Sequence, residues 1–337
     1  MKQNSIYFWR IIFTLMIVLL HFGISGGWYI AADFFFLVSG YLLAYKGEDH
    51  SVTPLAYGKK RIRQLYPQYL AAILLYFIAA NIIYGTPTER LPLYFFQAIP
   101  QFLCLQSVGP AVIFPCNSPG WYVSALLIDS CILYFLFQKL RKNTFYLLCG
   151  ILSVLCLGYF VVCLGNMDFW IEHHYYISDG LLRGFFEMYL GMLAFYINQT
   201  LLQKWQEIPS RVLDVIEYAS FLVVIIGSFF LRRTAFDFLW LVLLFLGVLL
   251  AFRHHDTTMF QNRKLRSLSD LTYTMFLFHS FWATLIFAGV LDVNDNKKRV
   301  IFVLPYLAVV FLTSWGVQRL STARKTTRSK DDTQHLK

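Results

Sequence analysis

The sequence predicts an all-α polytopic membrane protein of about ten transmembrane helices, with one re-entrant or interfacial segment near residues 93–106. Three observations carry that expectation. The chain is 58% hydrophobic and only 14% charged, whereas a soluble domain carries roughly 25% charged residues. Its apolar residues gather into runs of about 20, the length that crosses a hydrocarbon core of about 30 Å. Its Lys and Arg fall mostly in alternate connections, as the positive-inside rule requires. The net charge of +10 therefore reads as cytoplasmic loops and headgroup contact rather than a nucleic-acid surface.

Taken in order, the candidate spans are 8–24, 29–46, 68–85, 120–138, 144–164, 180–198, 212–231, 235–252, 272–291 and 300–319. The first lacks a small-x-small cleavage site and keeps Arg10 and His21 within the run, so it is expected to stay rather than act as a cleavable signal. The run at 93–106 is short and is interrupted by Pro100. If it does not cross, Lys2, Lys59–Arg63, Lys139–Lys142, Lys204, Arg211, Arg253, Arg263–Arg266 and the tail cations share one side. If it crosses, every later loop inverts and the two sides become nearly mixed. The first choice puts both termini in the cytoplasm. Residues 1–320 then form one membrane domain, and 321–337, STARKTTRSKDDTQHLK, a polar disordered cytoplasmic tail.

Cys131, Cys149, Cys156 and Cys163 lie in apolar runs and read as packing residues. Cys104 and Cys116 share one external segment, where they are either a disulfide or two unrelated thiols. His173 and His174 are adjacent and point apart on any regular element, so no metal site is expected.

Ionisable residues inside a bilayer cost about 2.5–3.5 kcal/mol or more and so mark functional positions. The first span carries two, Arg10 and His21. Their eleven-residue separation returns them to within about 20° of one helix face, with a rise of roughly 16 Å. Asp33, in the second span, reaches a similar depth if the two spans turn around Gly26-Gly27. It would then either steady the imidazole of His21 as a general base or brace its own helix.

The loop YGKKRIRQLYP places Lys59, Lys60, Arg61 and Arg63 against the membrane, as a plain anchor or as a clamp for phosphates. Trp121 and Tyr122 mark an outer mouth, as an aromatic belt or a stacking surface. Arg183 and Glu187 stand four apart on one face and can neutralise each other. His279, in YTMFLFHS, and Asp129 are further intramembrane groups. The loops 86–119 and 165–178 would shape an acceptor site, with FWIEHHYYISD either a sugar surface or part of the aromatic belt.

R-x10-H on the first span, D-x-F-F-x-x-S-G-Y on the second and a basic stretch ending in Y-P resemble the acyltransferase 3 family, bacterial integral-membrane O-acyltransferases of about ten spans. SPGWYVSALL, RGFFEMYLGML and YTMFLFH extend the likeness over nearly the whole chain. The resemblance implies an acyl-CoA cosubstrate, usually acetyl-CoA, arriving from the cytoplasm, and a hydroxyl acceptor, often an extracytoplasmic glycan or lipid-linked sugar. It makes Arg10 and His21 the essential pair. Its R-x-x-R feature reads here as Lys60-x-x-Arg63 or Arg61-x-x-Gln64, one cation changed in either register.

On that basis Arg10, Lys60, Arg61 and Arg63 would hold the CoA phosphates. His21 would be the base and Asp33 its partner, with Trp121, Glu187 and His279 lining the substrate site, in a bacterial inner membrane. The other readings are a transporter or flippase for a polysaccharide precursor, a structural subunit of an export complex, and an acyltransferase for a small-molecule acceptor.

Overall fold

The computed structural model describes residues 4–48, 50–108, 117–169, 173–174, 177–253, 263–289 and 296–334. Among them the chain is almost wholly helical. The helices are α1 (Asn4–His21), α2 (Ala31–Gly47), α3 (Pro54–Ile83), α4 (Leu91–Phe102), α5 (Gly120–Lys139), α6 (Lys142–Tyr159), α7 (Asp179–Thr200), α8 (Leu202–Glu207), α9 (Ser210–Phe230), α10 (Phe236–Ala251), α11 (Arg263–Gly289) and α12 (Asn296–Gln334). Two 3-10 turns (Trp28–Ile30 and Thr88–Arg90), a π-helical turn (Phe160–Leu164) and a two-residue antiparallel pair, β1 (His173–His174) with β2 (Ile177–Ser178), complete the regular structure among these residues.

Eight helices are long and apolar enough to cross a membrane, while α1 and α10 are apolar but shorter. At 18 and 16 residues these two rise about 24–27 Å, just under the hydrocarbon thickness. Length and composition therefore establish eight of the ten expected spans. The run at 93–106 contributes α4, whose 12 residues rise only about 18 Å and cannot cross by themselves.

The core is built where small residues let backbones meet. A Cβ at Gly40 would stand 1.9 Å from the carbonyl oxygen of Met188, and one at Gly191 2.0 Å from that of Leu37. Here α2 and α7 touch main chain to main chain, the close approach that small residues permit between helices in lipid. Outward, α6 and α12 present Leu147, Val154, Leu155, Ile301 and Leu304, an apolar exterior that suits lipid and would be a liability in water.

Two segments differ from the sequence expectation. The basic stretch 57–67 is the first half of α3 rather than a loop. Thr53 caps that helix, its hydroxyl accepting from the amide of Ala56 at 3.3 Å, and Pro54 opens it. Lys and Arg continue a helix well, and Pro67 sits within it. At the other end α12 runs on to Gln334, through the polar tail read as disordered. A helix already nucleated adds residues at little cost.

Candidate functional site

The side carrying the N-terminal half of α3 is called the basic face. From there α1 and α11 run side by side in the same direction. Arg10, half-buried, donates to the hydroxyl of Thr272 at 3.2 Å. Eleven residues on, at the C-terminal end of α1, the ring of His21 meets that of His279 edge to face, with centroids 4.7 Å apart. The sequence thus read Arg10 and His21 correctly as sharing a face, and that face is the one packed on α11.

The hydrogen bonds fix the chemistry of His21. Its Nδ1 lies 2.9 Å from the carbonyl oxygen of Ile17. A carbonyl can only accept, so Nδ1 carries the proton and the neutral ring keeps its lone pair on Nε2. That orienting task was expected of Asp33, and this expectation is corrected. Asp33 is fully buried and faces Arg183, whose Nε donates to its Oδ1 at 2.7 Å and whose Nη2 makes a second short contact. The reason is geometric: Asp33 lies in the first turn of α2, the helix that packs on α7. The opposite charge it meets there is the guanidinium of Arg183, whose planar fork suits a carboxylate.

Arg183 also donates to Oε1 of Glu187 at 3.1 Å and to the carbonyl of Tyr29 at 3.3 Å, beneath the ring of Trp121 at 5.9 Å. The neutralising pair read from the sequence is present and is enlarged to a carboxylate–guanidinium–carboxylate cluster. Glu187 and Trp121, expected at a substrate surface, both meet this cluster. The Oδ2 of Asp129 is buried without a hydrogen bond, 2.4 Å from where a Cβ on Gly184 would fall.

On the basic face a cavity of about 730 Å³ is lined by Ser39, Lys46, Tyr57, Lys60, Arg61, Gln64 and Tyr134, among others. The periodicity of α3 explains the set: positions 57, 60, 61 and 64 share one face, and 63 falls about 110° round from its middle. Arg63 is exposed and is not among the lining residues. Of the two registers open in the sequence, Arg61-x-x-Gln64 therefore faces the cavity, joined by Lys60. Lys46, which sequence reasoning missed, is a third cation of this wall, within electrostatic reach of Lys60, Arg61 and Arg10. Its only sequence signal was a lone Lys ending an otherwise apolar helix. At the inner end Ser39 pairs with Tyr122, whose phenol also feels Arg10 and Arg61. The cavity thus leads toward Arg10.

Beyond His21, α11 continues for ten residues to Gly289, about 15 Å, while α1 stops. The two loops expected to shape an acceptor site meet at this end. Val108 bridges Ile177, and the amide of Ser178 donates to the carbonyl of Ser107 at 3.2 Å. Cys104 is buried, and its candidate partner Cys116 lies outside the described residues. Among the described residues no group of His, Cys, Asp or Glu could hold a metal ion.

These features define a polytopic membrane protein with two facing histidines and a basic cavity on one face. The family described as an acyltransferase domain, acyltransferase 3, matches residues 3–319. The chain belongs to the acyltransferase 3 family and is a membrane acyltransferase. Nothing among curated proteins or solved structures matches it.

Proposed function

We propose that the protein moves an acetyl group from cytosolic acetyl-CoA to a hydroxyl of an extracytoplasmic glycan, in a bacterial inner membrane with both termini cytoplasmic. The observation that carries this reading is the tautomer of His21. Its Nδ1 is committed to Ile17, so Nε2 is free to take a proton. The basic cavity supports the donor side. Lys46, Lys60 and Arg61 on its wall suit the phosphates of CoA, and Arg10 lies between that wall and His21.

In the reaction His21 Nε2 removes the proton of the acceptor hydroxyl. The oxygen forms a bond to the thioester carbonyl carbon, the carbon–sulfur bond breaks, and the proton passes from His21 to the departing CoA sulfur. The acyl group changes sides and CoA stays in the cytosol. Asp33 belongs to the scaffold in this scheme, held by Arg183.

General-base catalysis contributes about 10²–10⁴-fold. His21→Ala should therefore lose at least a hundredfold in ester-linked acetate formed on cell-surface glycan, while the purified variant still binds acetyl-CoA. Acetate at the wild-type level would end the base assignment.

A further inference from the structure

His279 is fully buried, and the proposed reaction leaves it without a task. Its Nδ1 lies 2.6 Å from the carbonyl oxygen of Phe276. By the same reasoning as for His21, Nδ1 holds the proton and Nε2 holds a lone pair. That Nε2 is buried without a hydrogen-bond partner among the described residues. An orphaned acceptor costs free energy when buried, so its retention against the ring of His21 calls for a donor that is absent in the resting state.

Resting His21 cannot supply that donor, because its only N–H goes to Ile17. Protonated His21 can. Taking a proton on Nε2 creates a second N–H on a cation, in a ring whose centre lies 4.7 Å from that of His279. The expected carboxylate partner does not reach: Asp33 is bound to Arg183. The two histidines are also held in register. The hydroxyl of Tyr306, fully buried, lies 3.2 Å from the carbonyl of Val18 and 3.2 Å from that of His279. It thereby ties the last turn of α1 to α11 at the level of the two rings.

We infer that His279 is the positioning partner of the catalytic base: its Nε2 accepts a hydrogen bond from protonated His21 and so stabilises the imidazolium that forms during acyl transfer. No net chemistry occurs at His279. It holds the proton on His21 between its removal from the hydroxyl oxygen and its delivery to sulfur. A neutral imidazole does this without placing a permanent anion beside the thioester, where it would oppose attack by a developing alkoxide.

This inference rests on the base role of His21, and the experiment separates the two. Purified wild type, His21→Ala, His279→Gln and His279→Leu are supplied with radiolabelled acetyl-CoA in membranes containing the native acceptor, and ester-linked acetate is counted. Acetyl-CoA binding and thermal midpoint are measured on the same preparations. A hydrogen bond to a charged group corresponds to about ten- to hundredfold. The expected result is a loss of that size in kcat for His279→Leu with KM for acetyl-CoA unchanged. His279→Gln, whose amide oxygen can accept, should keep within about tenfold of wild type.

If His279→Leu turns over as wild type, or if Gln and Leu fall equally at unchanged thermal midpoint, the inference is overturned while the base assignment stands. Should His21→Ala itself be active, the underlying reaction scheme fails first.

Discussion

Removing Arg183 should destabilise the protein by about 3–5 kcal/mol, the usual cost of stripping one partner from a buried ion pair. The magnitude follows from what the guanidinium satisfies. Its Nε donates to Asp33 at 2.7 Å and to Glu187 at 3.1 Å, and its Nη2 to the Tyr29 carbonyl at 3.3 Å. Asp33 Oδ2 and Glu187 Oε2 are buried without a donor among the described residues, and the two carboxyl groups lie within hydrogen-bond reach of each other. Each charge-assisted bond is worth about 1.5–3 kcal/mol, so two of them alone account for the estimate. Proton uptake by the stranded carboxyls caps the loss. Against a total stability of about 5–15 kcal/mol, Arg183→Met should lower the unfolding midpoint in detergent sharply, followed by size-exclusion fluorescence on heating.

The decisive comparison is the triple variant Arg183→Met, Asp33→Asn, Glu187→Gln. It removes all three charges together and should recover most of the loss, since replacing a whole buried ion cluster is often neutral. It should also retain acyl transfer, because Asp33 acts in the scaffold. Arg183→Met as stable as wild type, or a triple variant no better than the single one, would refute the cluster as the clasp between α2 and α7. A stable but inactive triple variant would return Asp33 to the chemistry.

Two further outcomes follow from the cavity and the packing. Lys46→Ala should raise KM for acetyl-CoA about fivefold, equivalent to about 1 kcal/mol for one partly exposed phosphate contact. Arg63→Ala, outside the cavity wall, should change it less than about twofold; initial rates against acetyl-CoA concentration decide the order. Gly40→Ala would drive a Cβ to 1.9 Å from the Met188 carbonyl oxygen. Backbone cannot rotate aside, so a loss of about 3 kcal/mol is expected, at the upper end for overpacking. Gly158→Ala, with nothing within 4 Å, should leave the yield of monodisperse protein in detergent unchanged, and equal yields for the two variants would contradict the packing.

Composition and hydropathy were sufficient for the membrane class, because lipid admits only apolar helices and closed barrels and the runs are long. The pairing of Arg10 with His21 was legible for the same kind of reason: helical period is a local property, and both residues lie on one helix. The Arg183–Glu187 contact, four residues apart, was legible too. The start of α3 was misread because the basic stretch looks like a loop in composition, although Thr53-Pro54 is a helix-opening signal.

The partners of the charged groups were another matter. Asp33 could serve His21 or brace a helix, and only the packing of α2 on α7 gave it to Arg183, 150 residues away. Lys46 joined the cavity because α2 ends beside α3. His279 met His21 because α11 lies parallel to α1. Period and polarity are written in each segment by itself. Which buried charge meets which depends on how helices cross, and that is decided by small residues and side-chain shape across contacts distant in the chain.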